Sequence, residues 1–220
     1  MGKDRSIKDE RIDLVLAMIR PVDKVLHAGC VNHETGDVSR ENWLHGRLQA
    51  KCQNVLGIDI EEKEIKKMRG MGFKVRVADC EHLALGEKFD VIVAGELLEH
   101  LANPGRFLDR AKEHLLPGGK LILSTPNVFC YWHAISVLLR GRPTIHPEHV
   151  AWYDETTLRH LVERHGFKSL DVKYVPIPST GRGRLLSLVL VRLGLARIGG
   201  AGILMVCGYN EKQGNINAKT

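Results

Sequence analysis

Short apolar runs rich in β-branched residues alternate along the chain with segments whose apolar positions recur at helical spacing. The apolar runs predict seven strands, near residues 24–29, 54–60, 73–78, 89–94, 119–124, 170–177 and 202–208. The other segments predict helices near residues 7–19, 38–50, 61–69, 104–115, 129–140, 155–165 and 183–196. Residues 117–119, Pro-Gly-Gly, are expected to end the fourth helix before the fifth strand begins. This alternation predicts an α/β fold, with a mostly parallel sheet covered by helices on both faces.

The turn after the first predicted strand, HAGCVNHETG, places a glycine where a ligand would approach. In parallel α/β sheets, ligands bind beyond the carboxyl ends of the strands. Gly29 allows a sharp turn there, but Val31 and His33 stand where a glycine-rich GxGxG turn would repeat glycine. A tight turn between a strand and a helix is the simpler explanation of this glycine taken alone.

Two aspartates follow the next two predicted strands. Asp59 ends the second strand, and an acid at this position can accept hydrogen bonds from the hydroxyls of a ribose. Asp79 ends the third strand, where a carboxylate can accept a hydrogen bond from an adenine amino group. The alternative for both is helix capping, with Asp59 preceding a helix expected to start at Glu61.

The charge of the chain is unevenly distributed. Lys and Arg number 32 against 26 Asp and Glu, for a formal net charge of +6. Residues 1–171 carry equal numbers of acids and bases, and no acid occurs between Val172 and Asn210. The segment GRGRLLSLVLVRLGLARIG lies in this stretch and permits three interpretations: a crossover helix packed on the sheet, a membrane-surface helix over 182–197, or a nucleic-acid contact. Nucleic acid is the least favoured partner, because the neighbours of the arginines are aliphatic.

The five cysteines predict a reducing compartment. They are scattered, odd in number and form no CxxC pair, which argues against a disulfide framework or a zinc site. The N-terminal residues are too charged for a secretory signal, and no run of 18 apolar residues predicts a transmembrane helix. We therefore expect a cytoplasmic protein, with peripheral contact at the inner membrane surface if the basic helix binds lipid.

Five motifs give the chain a family resemblance: KVLHAGC, NVLGIDI, VRVADCEHL, FDVIVAGELLEHL and LLPGGKLILSTPN. Their order and spacing, over about residues 25–167, resemble those of class I S-adenosylmethionine-dependent methyltransferases. The resemblance implies a three-layer, Rossmann-like, seven-stranded sheet whose last strand is antiparallel. The family usually has an acid where this chain has His27. The cofactor-binding residues that the resemblance implies are His27, Gly29, Cys30, Asn32, Asp59, Ile60, Asp79, Cys80, Ala94 and Gly95.

We expect one methyltransferase domain over residues 1–220. Its predicted parts are an N-terminal helix (1–22), a cofactor-binding core (23–125), a substrate-side insertion (126–160), a C-terminal part with the basic aliphatic helix (161–210) and a flexible tail (211–220).

A possible metal site follows the fourth strand. If Glu96-Leu97-Leu98-Glu99-His100 is helical, Glu96, Glu99 and His100 share one face and suit Mg²⁺ or Mn²⁺. The ExxEH pattern with a later histidine resembles the ubiquinone-biosynthesis O-methyltransferases and the small-RNA 2′-O-methyltransferases. That resemblance implies metal ligands Glu96, Glu99, His100 and His149, with His146 as the substitute for His149. The alternative is a pocket bordered by His100 with no metal.

The favoured activity is O-methylation of a small-molecule, lipid or glycan-precursor acceptor, with Glu99 and His100 as the catalytic residues. An oxygen nucleophile gains from losing its proton to a base or from coordination to a metal. Two alternatives remain: a non-catalytic, methyltransferase-like binding subunit, suggested by the altered loop after Gly29, and an RNA 2′-O-methyltransferase. An NAD-dependent oxidoreductase is disfavoured, because no GxGxxG opens the first helix after a strand. Aromatic side chains that could line the acceptor pocket, or pack in the core instead, are Trp132, His133, Trp152 and Tyr153.

Overall fold

A seven-stranded sheet forms the centre of the molecule. The computed structural model describes residues 9–31, 43–176 and 182–209. The strands are β1 (Lys24–Ala28), β2 (Asn54–Asp59), β3 (Val75–Val77), β4 (Phe89–Gly95), β5 (Leu115–Pro126), β6 (Phe167–Val175) and β7 (Gly202–Tyr209). Their order in the sheet is β3-β2-β1-β4-β5-β7-β6, and only β7 runs antiparallel to its neighbours. The predicted sheet, with its antiparallel last strand, is confirmed.

Helices connect the strands. They are α1 (Glu10–Ala17), α2 (Leu44–Lys51), α3 (Glu62–Gly70), α4 (Pro104–Glu113), α5 (Tyr131–Arg140), α6 (Glu155–Arg164), α7 (Arg182–Arg192) and α8 (Ala196–Gly199). Short 3-10 turns occur at Cys80–His82 and Leu98–His100. The predicted starts of the first two helices, the residue Asn32 and the predicted tail at 211–220 lie outside the described residues.

Two predicted boundaries are wrong. The fourth helix ends at Glu113 rather than at residue 115, and β5 already begins at Leu115. Leu115 is buried and pairs with Phe89 of β4, so the Pro-Gly-Gly sequence lies inside the strand, next to an irregularity in its register. The predicted single helix over 183–196 is divided into α7 and α8 near Gly194, whose φ of +81° is in the left-handed region.

Alternate residues of the strands pack into two cores. On one face, α4 and α6 cover Leu26, Ile92 and Leu121 and their neighbours. On the other face, α1 and α2 cover Val25 and Val93. Because both faces are covered, ligands are left with the edge formed by the carboxyl ends of the strands.

The segment between β6 and β7 is fixed to the end of β5 by one buried amide. Asn127 donates from Nδ2 to the carbonyl oxygens of Arg197 and Gly200, each at 2.8 Å, and accepts from the Phe129 N–H.

All five cysteines are free and buried. Among the residues that the structure describes, no helix is long and apolar enough to cross a bilayer.

Candidate active site

The turn after β1 is held by large side chains rather than by further glycines. Gly29 has a φ of +72°, and a Cβ at this position would lie 3.1 Å from Leu97 Cδ1 of the segment after β4. Trp43 Nε1 donates to the Cys30 carbonyl oxygen at 3.1 Å. The Val31 N–H donates to Asp59 Oδ2 at 3.0 Å. The turn is therefore fixed in shape, although it lacks the glycines expected from the family pattern.

Asp59 joins two elements of the predicted cofactor site. Besides Val31, its carboxylate accepts a hydrogen bond from the Glu61 N–H, at 3.1 Å to Oδ1. The structure thus shows the capping contact, although α3 itself begins at Glu62. Each carboxylate oxygen has two acceptor positions, and the described residues occupy one on each, which leaves one for a ribose hydroxyl. Ile60, the residue that follows Asp59, is 66% exposed.

Asp79 and Cys80 stand at the end of β3. Asp79 caps the short 3-10 turn, accepting from the Glu81 N–H at 2.8 Å, and contacts the His82 ring at 2.6 Å. The hydrogen bond with His82 lowers the pKa of Asp79. Burial raises the pKa of the Cys80 thiol to about 12, so this sulfur is an uncharged, unreactive wall of the site.

His27 is turned away from solvent. Its ring stacks on His45 of α2, with Nδ1 atoms 3.3 Å apart and ring planes inclined by 16°. Burial lowers the pKa of both imidazoles, that of His45 to about 4. Two neutral rings therefore occupy the place beneath the turn after β1. Burial also raises the pKa of the Cys30 thiol.

The segment after β4 is not a regular helix. Glu96, Glu99 and His100 would share one face only in a helix, so the common face expected for the ExxEH side chains does not form. Ala94 is buried and Gly95 ends the strand; Glu96 then adopts a φ of +51°, unusual for a residue other than glycine. Its N–H donates to the Ser124 carbonyl oxygen at 2.9 Å, and its carboxylate lies 3.6 Å from Arg11 of α1. Glu96 is therefore outside the following 3-10 turn, Leu98–His100, to which Glu99 belongs.

Glu99 faces a cavity of about 140 Å³. Its side chain is 1% exposed, and within the described part of the chain no group meets hydrogen-bond geometry with either carboxylate oxygen. Burial first, and then the negative charge of Glu96, raise the pKa of Glu99 to about 8. The polar and aromatic side chains that line this cavity are Glu99, Thr125, His133, Thr144, His146, His149 and Trp152.

Further unpartnered polar atoms belong to the same cavity. Thr125 Oγ1 and His133 Nδ1 are buried and have no hydrogen-bond partner among the residues that the structure describes. The His133 ring packs 5.1 Å from Trp152. Buried polar groups are costly to leave unpaired, so a cavity with four such atoms is suited to a polar ligand.

Three histidines converge next to Glu99, and two of them, His146 and His149, line the cavity. His100, His146 and His149 each present a ring nitrogen, and the three nitrogens lie within 4.8 Å of one another. The loop that carries the last two is fixed because the Glu99 carbonyl oxygen accepts from the Val150 N–H at 2.8 Å. Burial lowers the pKa of His149, which favours the neutral imidazole. Neither Glu96 nor Glu99 belongs to this group of ligand atoms.

Sequence reasoning missed two residues of this region. Thr125, near the end of β5, contributes a hydroxyl to the cavity, and the rule that ligands bind at the carboxyl ends of strands would have found it. Arg11 binds Glu96 from a helix distant in sequence, and no local signal marks it. Of the aromatic candidates, His133 and Trp152 line the cavity, whereas Trp132 is 45% exposed and Tyr153 packs in the core.

Several known methyltransferases are similar to this chain. A ubiquinone biosynthesis O-methyltransferase from Parvibaculum lavamentivorans is 34% identical over 91 residues, which cover 38% of this chain and 36% of that protein. The chain thus aligns with only about a third of the length of that curated relative. A S-adenosylmethionine-dependent methyltransferase from Archaeoglobus fulgidus has the same fold, with a TM-score of 0.62, 18% identity and coverage of 90% of this chain and 94% of that one. A magnesium protoporphyrin IX methyltransferase from Synechocystis, solved with bound S-adenosylhomocysteine, also has a TM-score of 0.62, with 16% identity over 91% of this chain and 83% of that one.

The match to a family model covers more of this chain than the alignment with the ubiquinone biosynthesis relative does. Residues 3–172 match the model described as a methyltransferase domain, a span that includes β1–β5 and the residues of the candidate site. The sheet order, the shaped turn after β1 and the acid at the end of β2 agree with that match. The chain therefore belongs to the class I S-adenosylmethionine-dependent methyltransferases.

Proposed function

We propose that this enzyme transfers the methyl group of S-adenosylmethionine to a hydroxyl oxygen of a small organic or lipid acceptor bound in the Glu99 cavity. The observation that carries the proposal is the set of unpartnered buried polar atoms on Glu99, Thr125 and His133, all facing one cavity. A hydroxyl both donates and accepts a hydrogen bond, so it can satisfy a carboxylate and a hydroxyl or imidazole together. The ubiquinone biosynthesis relatives, which are O-methyltransferases by name, support the same choice of acceptor atom.

Methyl transfer depends more on the alignment of the acceptor oxygen, the methyl carbon and the sulfur than on reactive groups of the protein. The acceptor oxygen attacks the methyl carbon, the C–S bond breaks, and the products are a methyl ether, S-adenosylhomocysteine and a proton. Glu99 is ionised at a pH at or above its pKa of about 8, and in that form it accepts the hydrogen bond of the acceptor hydroxyl and takes up the proton as the new C–O bond forms. Trp152 and His133 form the aromatic wall against which the acceptor packs.

A metal ion, if used, would have different ligands from those implied by the ExxEH resemblance. The donors that converge are the three imidazoles of His100, His146 and His149, whereas Glu96 is paired with Arg11. Nitrogen donors favour Zn²⁺ or Fe²⁺ over Mg²⁺. When bound, a divalent ion would supply Lewis-acid stabilisation of the acceptor oxygen as it loses its proton.

Calorimetry on the protein without cofactor tests the metal separately from catalysis. We expect heat on titration with Zn²⁺, and at least tenfold weaker binding in His149→Ala, because the ion loses one of three protein ligands. Exposed His160 of α6 provides the control, so His160→Ala should bind as the wild type does. Binding of Mg²⁺ or Mn²⁺ without Zn²⁺ would contradict the nitrogen-donor assignment.

The main experiment follows transfer of a labelled methyl group to phenolic, catecholic and long-chain alcohol acceptors. Each acceptor is paired with an analogue that carries an amine in place of the hydroxyl. Glu99→Gln should lower kcat about 100-fold, within the usual range for loss of an acid–base group, and leave S-adenosylhomocysteine binding intact. The control is Glu163→Gln, which changes an exposed carboxylate on α6. Methylation of amines alone, or cofactor binding with no transfer to either series, would refute the proposal.

A further inference from the structure

The last turn of α5 exposes an unusual number of aliphatic side chains. Leu138 is 84% exposed, Leu139 is 79% exposed and Val137 is 46% exposed. The helix then ends in Arg140-Gly141-Arg142, and all three of these residues are exposed. Isolated exposed leucines are ordinary, but adjacent ones at a projecting helix end indicate a contact surface.

A second aliphatic surface lies along α7. Three exposed residues follow one another at intervals of four: Leu185, Val189 and Leu193. Because of this spacing, they share one side of the helix. The opposite side is packed: Ser187 is fully buried and its hydroxyl donates to the Gly199 carbonyl oxygen. Among the described residues, nothing covers the outer side of α7.

The first turns of α5 and α7 are in contact. The Tyr131 hydroxyl, in the first turn of α5, donates to the Gly183 carbonyl oxygen of α7 at 2.7 Å. His133, on the same turn of α5, lines the acceptor cavity. We call Leu138, Leu139, Leu185, Val189 and Leu193 together the α5–α7 surface; one of its two helices, α5, also contributes His133 to the cavity.

The charges around this surface are positive. Arg140, Arg142 and Arg192 are exposed, and no ion pair to any of them is formed within the described part of the chain. The sequence holds no acid between Val172 and Asn210. Aliphatic side chains flanked by arginines match a bilayer surface, where the leucines enter the headgroup boundary and the guanidinium groups meet anionic lipid.

We propose that the α5–α7 surface docks the enzyme on membranes that contain anionic phospholipid. A partner protein would not require the acid-free segment that carries α7, and a nucleic acid would not require exposed leucines. The proposal concerns a surface outside the catalytic cavity and does not depend on the identity of the methyl acceptor.

The test measures co-sedimentation of the full chain with vesicles of phosphatidylcholine, alone or with 30 mol% phosphatidylglycerol, without cofactor or acceptor. We expect binding to the mixed vesicles, weakened by added salt, because attraction between exposed charges is screened. Leu138→Glu and Leu193→Glu should each weaken binding at least tenfold. In each variant, the apolar side chain that would enter the lipid is replaced by a negative charge that anionic lipid repels. Arg192→Gln should weaken it about fivefold, the effect of one basic residue near such a surface.

The controls carry the same change on the opposite edge of the sheet. Val22 is 79% exposed just before β1, and Met71 is 59% exposed just after α3, so both lie at the amino ends of strands. Val22→Glu and Met71→Glu should bind vesicles as the wild type does, and circular dichroism should show that all variants are folded. Equal loss in the control variants, or no wild-type binding, would overturn the proposal. It would also be overturned by sedimentation equilibrium showing a dimer that Leu138→Glu dissociates.

Discussion

Acid should destabilise this enzyme through the pair of histidines beneath the turn after β1. His27 and His45 are buried, their rings are stacked, and His45 Nε2 has no hydrogen-bond partner. Burial, as the largest cause, lowers the pKa of both imidazoles, that of His45 from 6.5 to about 4. The folded protein therefore keeps both rings neutral at a pH at which the unfolded chain has already protonated them.

The sign of the effect follows from proton linkage. A depressed histidine pKa in the folded state means that stability is complete above about pH 6.5 and is lost as the pH falls toward about 4. One pKa unit corresponds to about 1.4 kcal/mol, so lowering the pH from 7 to 5 should remove about 2 kcal/mol through His45. His27 acts in the same direction.

Urea unfolding at pH 7, 6 and 5, followed by tryptophan fluorescence, measures this slope. His45→Leu removes one titrating ring while keeping an apolar side chain, so its stability should fall less between pH 7 and 5 than that of the wild type, by about 2 kcal/mol. The control is His160→Leu on the exposed side of α6, which should show the wild-type slope. Parallel curves for wild type and His45→Leu would refute the reasoning.

Three further predictions concern the cofactor site and the core. Asp59→Asn should weaken S-adenosylhomocysteine binding at least tenfold in calorimetry, because hydrogen bonds to a charged group are worth about 1.5–3 kcal/mol; unchanged affinity would mean that Asp59 only supports the turn. Gly57→Ala should destabilise the fold by about 1–3 kcal/mol in the urea assay, since the added Cβ would lie 2.6 Å from His45 Cε1. Gly70→Ala is the control and should not destabilise the fold, because the added Cβ would meet open space. Asn127→Ala should lower the free energy of unfolding by about 1–3 kcal/mol, because the buried Gly200 carbonyl and the partly buried Arg197 carbonyl lose their donor; no measurable loss would show that water replaces the amide.

The sheet could be predicted from sequence because its signal is local. The strands β1, β2, β4 and β7 are largely runs of buried apolar residues, so their pattern is readable without knowledge of the partners. The start of β5 could not be predicted in this way. Leu115 joins the strand because Phe89 pairs with it, a contact distant in sequence that overrides the turn preference of Pro-Gly-Gly.

The candidate site was predictable where it follows strand ends, and less so where loops fold back. Gly29 and Asp59 come directly after β1 and at the end of β2, and a hydrogen bond between Val31 and Asp59 joins the two segments. The left-handed Glu96 breaks the spacing argument for ExxEH, since nothing in its sequence requires a positive φ. His146 joins His100 and His149 only because the loop before Val150 is tied to the Glu99 backbone.

The sheet order has a consequence for the sequence of events in folding. β7 lies between β5 and β6, although it comes after both in the chain. As the chain leaves the ribosome, β1 to β5 can assemble the cofactor half while β6 still has no neighbour to pair with. The edge of β5 therefore stays open until residues 202–209 emerge, and a nascent chain halted before them would present an unpaired apolar strand, the kind of edge at which aggregation begins.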